Sequence, residues 1–309
     1  MMKSYPSLYI YFNVIILSIL IIMSSNNWFF TWMGFELSLF GFLPLFSTNS
    51  STTEAIMKYF LMQASGSTMF MISFLAQSKG VYLLSILGMT MKLGLFPFFQ
   101  WMPIVMMSLT WTGCMVLTTL QKLAPILVMM SFNISMPILF FSITSVLFSA
   151  LLGFNQSLMR ILMAYSSISH TSMIVMTFMF SMNMGVIYLL FYFSMVVLLF
   201  RSFKQGKVEK VNSLQITNTD TSLQTYILLM MTGMPPFSIF LFKVFLITML
   251  MNFPVMIMII LLSTFISTYY YLSFVIPTLL FNKNKKKINL FLLPTVLLWN
   301  MTPVMFMLL

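Results

Sequence analysis

The sequence is a near-continuous series of apolar runs, most of them about 20 residues long, which is the length a helix needs to cross a bilayer. Glycine, proline or short polar clusters separate them. In lipid the backbone has no water to bond, so each run must satisfy its own N–H and C=O groups, and a helix does so within one segment. Composition points the same way. Hydrophobic residues make up 60% of the chain, charged residues only 6%, and mean hydropathy is +1.01. An all-α polytopic membrane protein with little room for a soluble domain is predicted.

Cutting at the polar clusters, Gly and Pro predicts 11 transmembrane helices, at about 5–25, 28–47, 55–76, 80–100, 111–131, 136–154, 160–180, 183–203, 222–251, 254–282 and 288–309. The first is read as a retained span, because Ser24-Ser25-Asn26 makes a poor signal-peptide cleavage site. Positive residues gather on the side from which a membrane is entered. With loops numbered alternately, Lys3, Lys58, Arg160, Arg201, Lys204, Lys207, Lys210, Lys283, Lys285, Lys286 and Lys287 share one side, and Lys79 falls on the other. The N-terminus is therefore expected on the positive side, cytosolic or matrix, and the C-terminus opposite. The net charge of +11 serves topology; no basic domain interleaved with aromatics exists, so no nucleic-acid partner is expected. Trp28, Trp101, Trp111 and Trp299 lie near span ends and fit an interfacial belt.

Two spans carry the same disruption. Gly94-Leu95-Phe96-Pro97-Phe98 in span four and Gly233-Met234-Pro235-Pro236-Phe237 in span nine both read Gly-x-x-Pro-Phe. Proline lacks a backbone donor and clashes with the preceding turn, so both helices are expected to kink or break. The two spans are an odd number apart and must run in opposite senses. Paired broken helices in inverted repeats point to a transporter site. The expected organisation of 1–309 is a single transmembrane domain, with a first repeat over about 5–131, a second over about 136–282 and a terminal helix over about 288–309.

Four ionisable residues lie deep in the apolar runs: Glu36, Lys92, Lys122 and Lys243. Charges there are expensive and face a protein interior or a water-filled path. Burial disfavours an ammonium's charge and a nearby carboxylate favours it, so a buried lysine with a movable acidic partner is a proton switch. Glu36 is the mid-membrane acid available, and it is expected to pair with Lys92. On separation, a proton passes to Lys122 and onward towards Lys243. The competing reading is a static buried ion pair that fixes helix packing. With no metal-ligand cluster nearby, a proton or small cation is the expected cargo.

His170 is the one histidine, and Ser166, four residues before it, can share its helical face. It is a candidate relay residue in a hydrated stripe or a hydrogen-bonded packing residue. Glu54 and Lys58 are spaced for an i,i+4 pair at the interface or a proton entry. The Lys283–Lys287 cluster is expected to contact lipid headgroups. The lone Cys114 excludes an intrachain disulfide and is read as a packing residue. No nucleotide loop, catalytic triad, or haem or flavin motif is present, so the chain is expected to bind no cofactor or metal.

Several segments together resemble a known family. They are Trp32-Met33-Gly34-Phe35-Glu36, Ser51-Thr52-Thr53-Glu54-Ala55 through Lys58-Tyr59-Phe60, Met91-Lys92-Leu93-Gly94-Leu95 with Pro97-Phe98, Gln121-Lys122-Leu123-Ala124-Pro125, Asn155-Gln156, and Met163-Ala164-Tyr165-Ser166-Ser167-Ile168 ending at His170. Their order and spacing over about 24–245 resemble the antiporter-like membrane subunits of respiratory NADH:ubiquinone oxidoreductase (complex I, mitochondrial NADH dehydrogenase), in the shortened animal form of the subunit 2 family. The resemblance implies two inverted five-helix repeats plus a final helix, in a multi-pass protein of the mitochondrial inner membrane. It implies proton translocation driven by electron transfer elsewhere, along an axis matching Glu36, Lys92, Lys122 and Lys243. NADH, FMN, iron–sulfur clusters and ubiquinone are expected in other subunits. The partners implied are other membrane-arm subunits and membrane lipids, so the chain is not a monomer. It departs from the family at Phe99-Gln100, where a histidine is usual, at Ile161, and at Phe242 and Val244 flanking Lys243. Two other function classes remain: a free-standing cation/proton antiporter, and a structural subunit whose charges only hold helices together.

Overall fold

A computed structural model of the chain describes residues 5–46, 51–76, 82–132, 136–206, 221–235 and 237–281. The regular elements among them are helices: α1 (Tyr5–Ser24), α2 (Trp28–Phe42) ending in a 3-10 turn (Leu43–Leu45), α3 (Ser51–Leu75), α4 (Tyr82–Leu93), α5 (Trp101–Ser108), α6 (Trp111–Thr118), α7 (Leu120–Met130), α8 (Met136–Gly153), α9 (Met159–Phe180), α10 (Met182–Gly206), α11 (Thr221–Thr232), α12 (Ser238–Met249) and α13 (Pro254–Phe281). Among the described residues six stretches are long and apolar enough to cross a membrane: Trp28–Leu45, Trp111–Met130, Met136–Gly153, Met159–Phe180, Met182–Gly206 and Pro254–Ile276. The expected last span, Trp299, Lys3, Lys79, most of the Arg201–Thr221 connection and the Lys283–Lys287 cluster lie outside the described residues.

The chain divides into two compact units, Met1–Ser145 and Val146–Leu309, with the boundary inside α8. In the first, α3 packs along α4 and also meets α2 and α5, while α1 packs on α2 and α7. Two glycines bring α3 and α4 to backbone contact. A Cβ on Gly66 would stand 2.8 Å from the Gly88 carbonyl oxygen, and one on Gly88 would stand 2.6 Å from that of Gly66. Small residues let membrane helices close to backbone contact, where dispersion replaces the missing hydrophobic drive. One turn beyond Gly88 on α4 comes Lys92, whose stem lies against Gly66.

The second unit is built round α9, nearly all of whose residues are buried. It packs against α10 and α12, and α11 packs against α10 and α13. Its hydroxyls turn back onto the helix. Ser166, Ser167, Ser169 and Ser172 donate to the carbonyls of Met163, Ala164, Ser166 and Ser169 at 2.7–3.0 Å. Buried among neighbouring helices, those donors are served by the helix's own carbonyls. The polar stripe therefore presents oxygen lone pairs outward, acceptors rather than donors.

The expected span over 111–131 is present as Trp111–Met130 and carries a break inside it. It resolves into α6 and α7, parted at Thr119 with φ −113° and ψ −81°. The hydroxyls of Thr118 and Thr119 both donate to the Met115 carbonyl, which also takes the Thr119 amide, so three donors crowd one oxygen at the break. Pro125 then leaves the Gln121 carbonyl without its amide donor one turn on. Trp101 and Trp111 also differ from the interfacial anchors expected. Both are buried in protein, at 4% and 7% exposure, whereas Trp28 is exposed.

Candidate functional site

Glu36, on α2, accepts a 2.6 Å hydrogen bond from the Ser67 hydroxyl of α3. Lys92, buried in the last turn of α4, holds its ammonium 4.4 Å from the ring centroid of Phe35, the residue before Glu36. A desolvated contact of that kind contributes about 0.5–2 kcal/mol. Glu36 acts electrostatically on Lys92, but the two do not close into a salt bridge. The carboxylate is held by a hydroxyl and the ammonium by a ring, so the charges influence one another without locking.

α4 stops one residue after Lys92. Gly94 follows at φ +69°, a conformation only glycine adopts without strain. The last carbonyls of the helix need partners. Gly94 N–H donates to Met91 O and Leu95 N–H to Thr90 O. Side chains serve two carbonyls: Trp101 Nε1 donates to Met91 O and Gln63 Nε2 to Lys92 O, each at 3.2 Å. The Phe96–Pro97 peptide in the following turn is cis. Both side-chain caps are neutral.

Lys122 is buried in the first turn of α7, just past the break at Thr119. Its neighbour Gln121 donates to the Ser38 carbonyl of α2 at 3.1 Å, tying the start of α7 to the helix that carries Glu36. The end of the helix on which Lys122 sits carries the positive partial charge of the macrodipole.

In the second unit α11 ends at Thr232, and Gly233 follows at φ +66°. Lys243 of α12 reaches back and donates from Nζ to the Thr232 carbonyl at 2.7 Å. Hydrogen bonds to charged groups contribute roughly 1.5–3 kcal/mol, and the ammonium lies where a helix carries partial negative charge. A Cβ on Gly233 would stand 2.8 Å from both Lys243 Cε and Nζ, so the glycine also makes room for the cation. Phe242, one residue before, stacks on Tyr188 of α10 with centroids 4.5 Å apart and planes 3° apart. The Tyr188 hydroxyl lies 3.0 Å from His170 Nδ1, and Tyr192 packs on the same imidazole at 5.2 Å.

The structure thus brings Glu36 and Lys92 into one cluster, and sets His170 and Lys243 on either side of the Tyr188–Phe242 stack. Lys92 and Lys122 stand in terminal turns of their helices, and Lys243, midway along α12, sets its ammonium on the end of α11. Ser67, Gln63, Trp101, Thr232 and Tyr188 were not singled out by their sequence positions, because what matters in each is a partner distant along the chain. A weak signal existed for Trp101, the third residue after the Gly-x-x-Pro-Phe segment. Glu54 and Lys58 form the expected i,i+4 pair at the exposed start of α3, and the ammonium holds the Glu54 carboxyl below the usual carboxylate range. Buried Cys114 donates to Met106 O at 3.4 Å. Among the described residues no three His, Cys, Asp or Glu side chains gather as metal ligands.

The family described as NADH:quinone oxidoreductase/Mrp antiporter, TM matches residues 76–267. NADH-ubiquinone oxidoreductase chain 2 of Lumbricus terrestris is 30% identical over 299 residues, covering 89% of this chain and 87% of its own length. The protein of the same name from Aedes aegypti is 34% identical over 298 residues, with the same coverage. Among solved structures, a chain of respiratory complex I from Thermus thermophilus aligns with a TM-score of 0.83 at 19% identity, over 93% of this chain and 73% of that one. A chain of the Mrp complex from Dietzia aligns with a TM-score of 0.75 at 13% identity, over 87% and 59%. At those identities the likeness establishes the fold, an all-helical antiporter-like membrane fold.

Proposed function

The chain belongs to the NADH:quinone oxidoreductase/Mrp antiporter family, and we propose that it is a proton-translocating, antiporter-like core subunit in the membrane arm of a respiratory NADH:ubiquinone oxidoreductase. The observation that carries the reading is that Lys92, Lys122 and Lys243 are all buried, the first two in terminal turns of α4 and α7 and the third, midway along α12, with its ammonium on the last carbonyl of α11. Such ends leave backbone groups that a small movement can repair or expose. An ammonium placed there can change partners without a whole helix moving.

The relay runs from Glu36 through Lys92 and Lys122 towards Lys243, with His170 as a candidate step. Glu36 and Lys92 form its separable pair, since Ser67 and Phe35 hold them when they part. Lys243 has a backbone carbonyl as partner, so passing its proton on requires turning Nζ away from Thr232 O. The segments 80–100 and 222–251 are the broken spans of two inverted repeats within an 11-span protein. It lies in the mitochondrial inner membrane, with its N-terminus on the matrix side and its C-terminus on the intermembrane-space side. Electron transfer through NADH, FMN, iron–sulfur clusters and ubiquinone belongs to other subunits. A free-standing antiporter is the less favoured reading, because the near full-length relatives are named as chains of an oxidoreductase.

The test is gentle extraction, a native gel stained for NADH oxidation, and mass spectrometry of the band. The chain is expected in the large NADH-oxidising assembly. Migration alone or as a small oligomer overturns the assignment.

A further inference from the structure

His170 can pass a proton only if it takes one at one ring nitrogen and gives one from the other, which changes its tautomer. In a buried site each tautomer must leave its neighbours satisfied, or the change stalls on an unpaired group. The neighbour of Nδ1 is the Tyr188 hydroxyl at 3.0 Å, and that hydroxyl has a second acceptor, Met173 Sδ at 3.7 Å. All three groups are buried. A phenol has one hydrogen to donate and lone pairs to accept with.

We propose that Tyr188 is the positioning residue of His170, its hydroxyl hydrogen turning between His170 Nδ1 and Met173 Sδ as the imidazole changes tautomer. When Nδ1 carries a proton, it donates to the Tyr188 oxygen and the phenolic hydrogen points to sulfur. When Nδ1 is bare, the phenolic hydrogen turns and donates to it. No covalent bond to the tyrosine forms or breaks, and its hydroxyl has a partner in both states. Thioether sulfur is a weak acceptor, so the hydrogen is not trapped there. Phe242 fixes the ring through the parallel stack and leaves the O–H rotor as the moving part. The stack also ties His170 to the turn of α12 that carries Lys243.

The proposal rests on the proton-relay reading above, and its test separates the two. Tyr188→Phe, Met173→Leu and Lys243→Met are each made in the whole complex, reconstituted in vesicles. Protons moved per electron and the solvent deuterium isotope effect are then measured. Tyr188→Phe keeps the stack and removes the rotor. Met173→Leu keeps the volume and removes the second acceptor. Both are expected to slow coupled turnover about tenfold, less than the roughly 10²–10⁴-fold that a proton-transfer group itself supplies, and to raise the isotope effect. Wild-type coupling and isotope effect in both variants, where Lys243→Met has lost pumping, overturn the role of Tyr188 and leave the relay standing. Full pumping in Lys243→Met overturns the relay itself. Should Tyr188→Phe fail to assemble, Met173→Leu decides alone.

Discussion

The ends of α4 and α11 share a backbone and differ in chemistry. Each helix finishes at a glycine of nearly equal positive φ, 69° and 66°, ahead of proline. At α4 the freed carbonyls go to Trp101 and Gln63, both neutral. Its lysine, on the helix's own last turn, is left to respond to Glu36. At α11 the freed carbonyl goes to Lys243 itself. One backbone device thus serves two electrostatic ends. In the first unit the acid and the lysine can separate without uncapping a helix; in the second, moving the lysine uncaps one.

The glycines give the sharpest way to break this comparison. Gly94→Ala and Gly233→Ala both force alanine into a left-handed conformation, costing about 1–2 kcal/mol each. At Gly94 the new Cβ meets the Trp101 ring at an ordinary 3.4 Å, whereas at Gly233 it meets Lys243 Nζ at 2.8 Å. Gly233→Ala is therefore expected to push the flexible lysine end off Thr232 O and to lose that charged hydrogen bond, a further cost of roughly 1.5–3 kcal/mol. Thermal inactivation midpoints of the assembled complex check the order, and equal losses would show that Lys243 is not seated against this turn.

A smaller effect tests whether the α4 cap is structural alone. Trp101→Phe removes the indole donor and leaves Met91 O with the Gly94 amide alone, at about 0.5–1.5 kcal/mol for one lost hydrogen bond. The complex is expected to lose thermal stability yet keep its protons per electron. Loss of coupling at wild-type stability would mean that Trp101 has a part in proton transfer.

The smallest effect lies outside both ends. Glu54 and Lys58 are exposed, and such pairs contribute little. Because the folded Glu54 carboxyl titrates below its unfolded value, its contribution is present above the unfolded pKa. It fades as pH falls through the folded one. Glu54→Gln is expected to leave the midpoint at neutral pH nearly unchanged and to remove a slight weakening in acid, measured as midpoint against pH.

Which parts were legible depended on whether the signal was local. A charge in an apolar run is visible by itself, so Glu36, Lys92, Lys122 and Lys243 stood out. Gly-x-x-Pro-Phe is local too, and the ends of α4 and α11 fall beside those segments. The break at Thr119 escaped notice because threonine is ordinary in membrane helices; only Thr118-Thr119 followed by Pro125 could have warned of it. Trp101 was misplaced because tryptophan favours interfaces, and nothing nearby announced a carbonyl waiting for its N–H. The partner of Lys243 was invisible for a deeper reason. Counter-charge was sought among acids, and here a helix end takes that place.

The most direct test of the account is the number of protons pumped per electron by the reconstituted complex carrying Lys243→Met, beside Trp101→Phe. Methionine keeps the apolar stem and removes the ammonium at the α11 end; phenylalanine removes one side-chain cap of the α4 end without touching a charge. The account expects Lys243→Met to lower the ratio while Trp101→Phe leaves it intact. A wild-type ratio in Lys243→Met would reduce the buried lysines to structural caps.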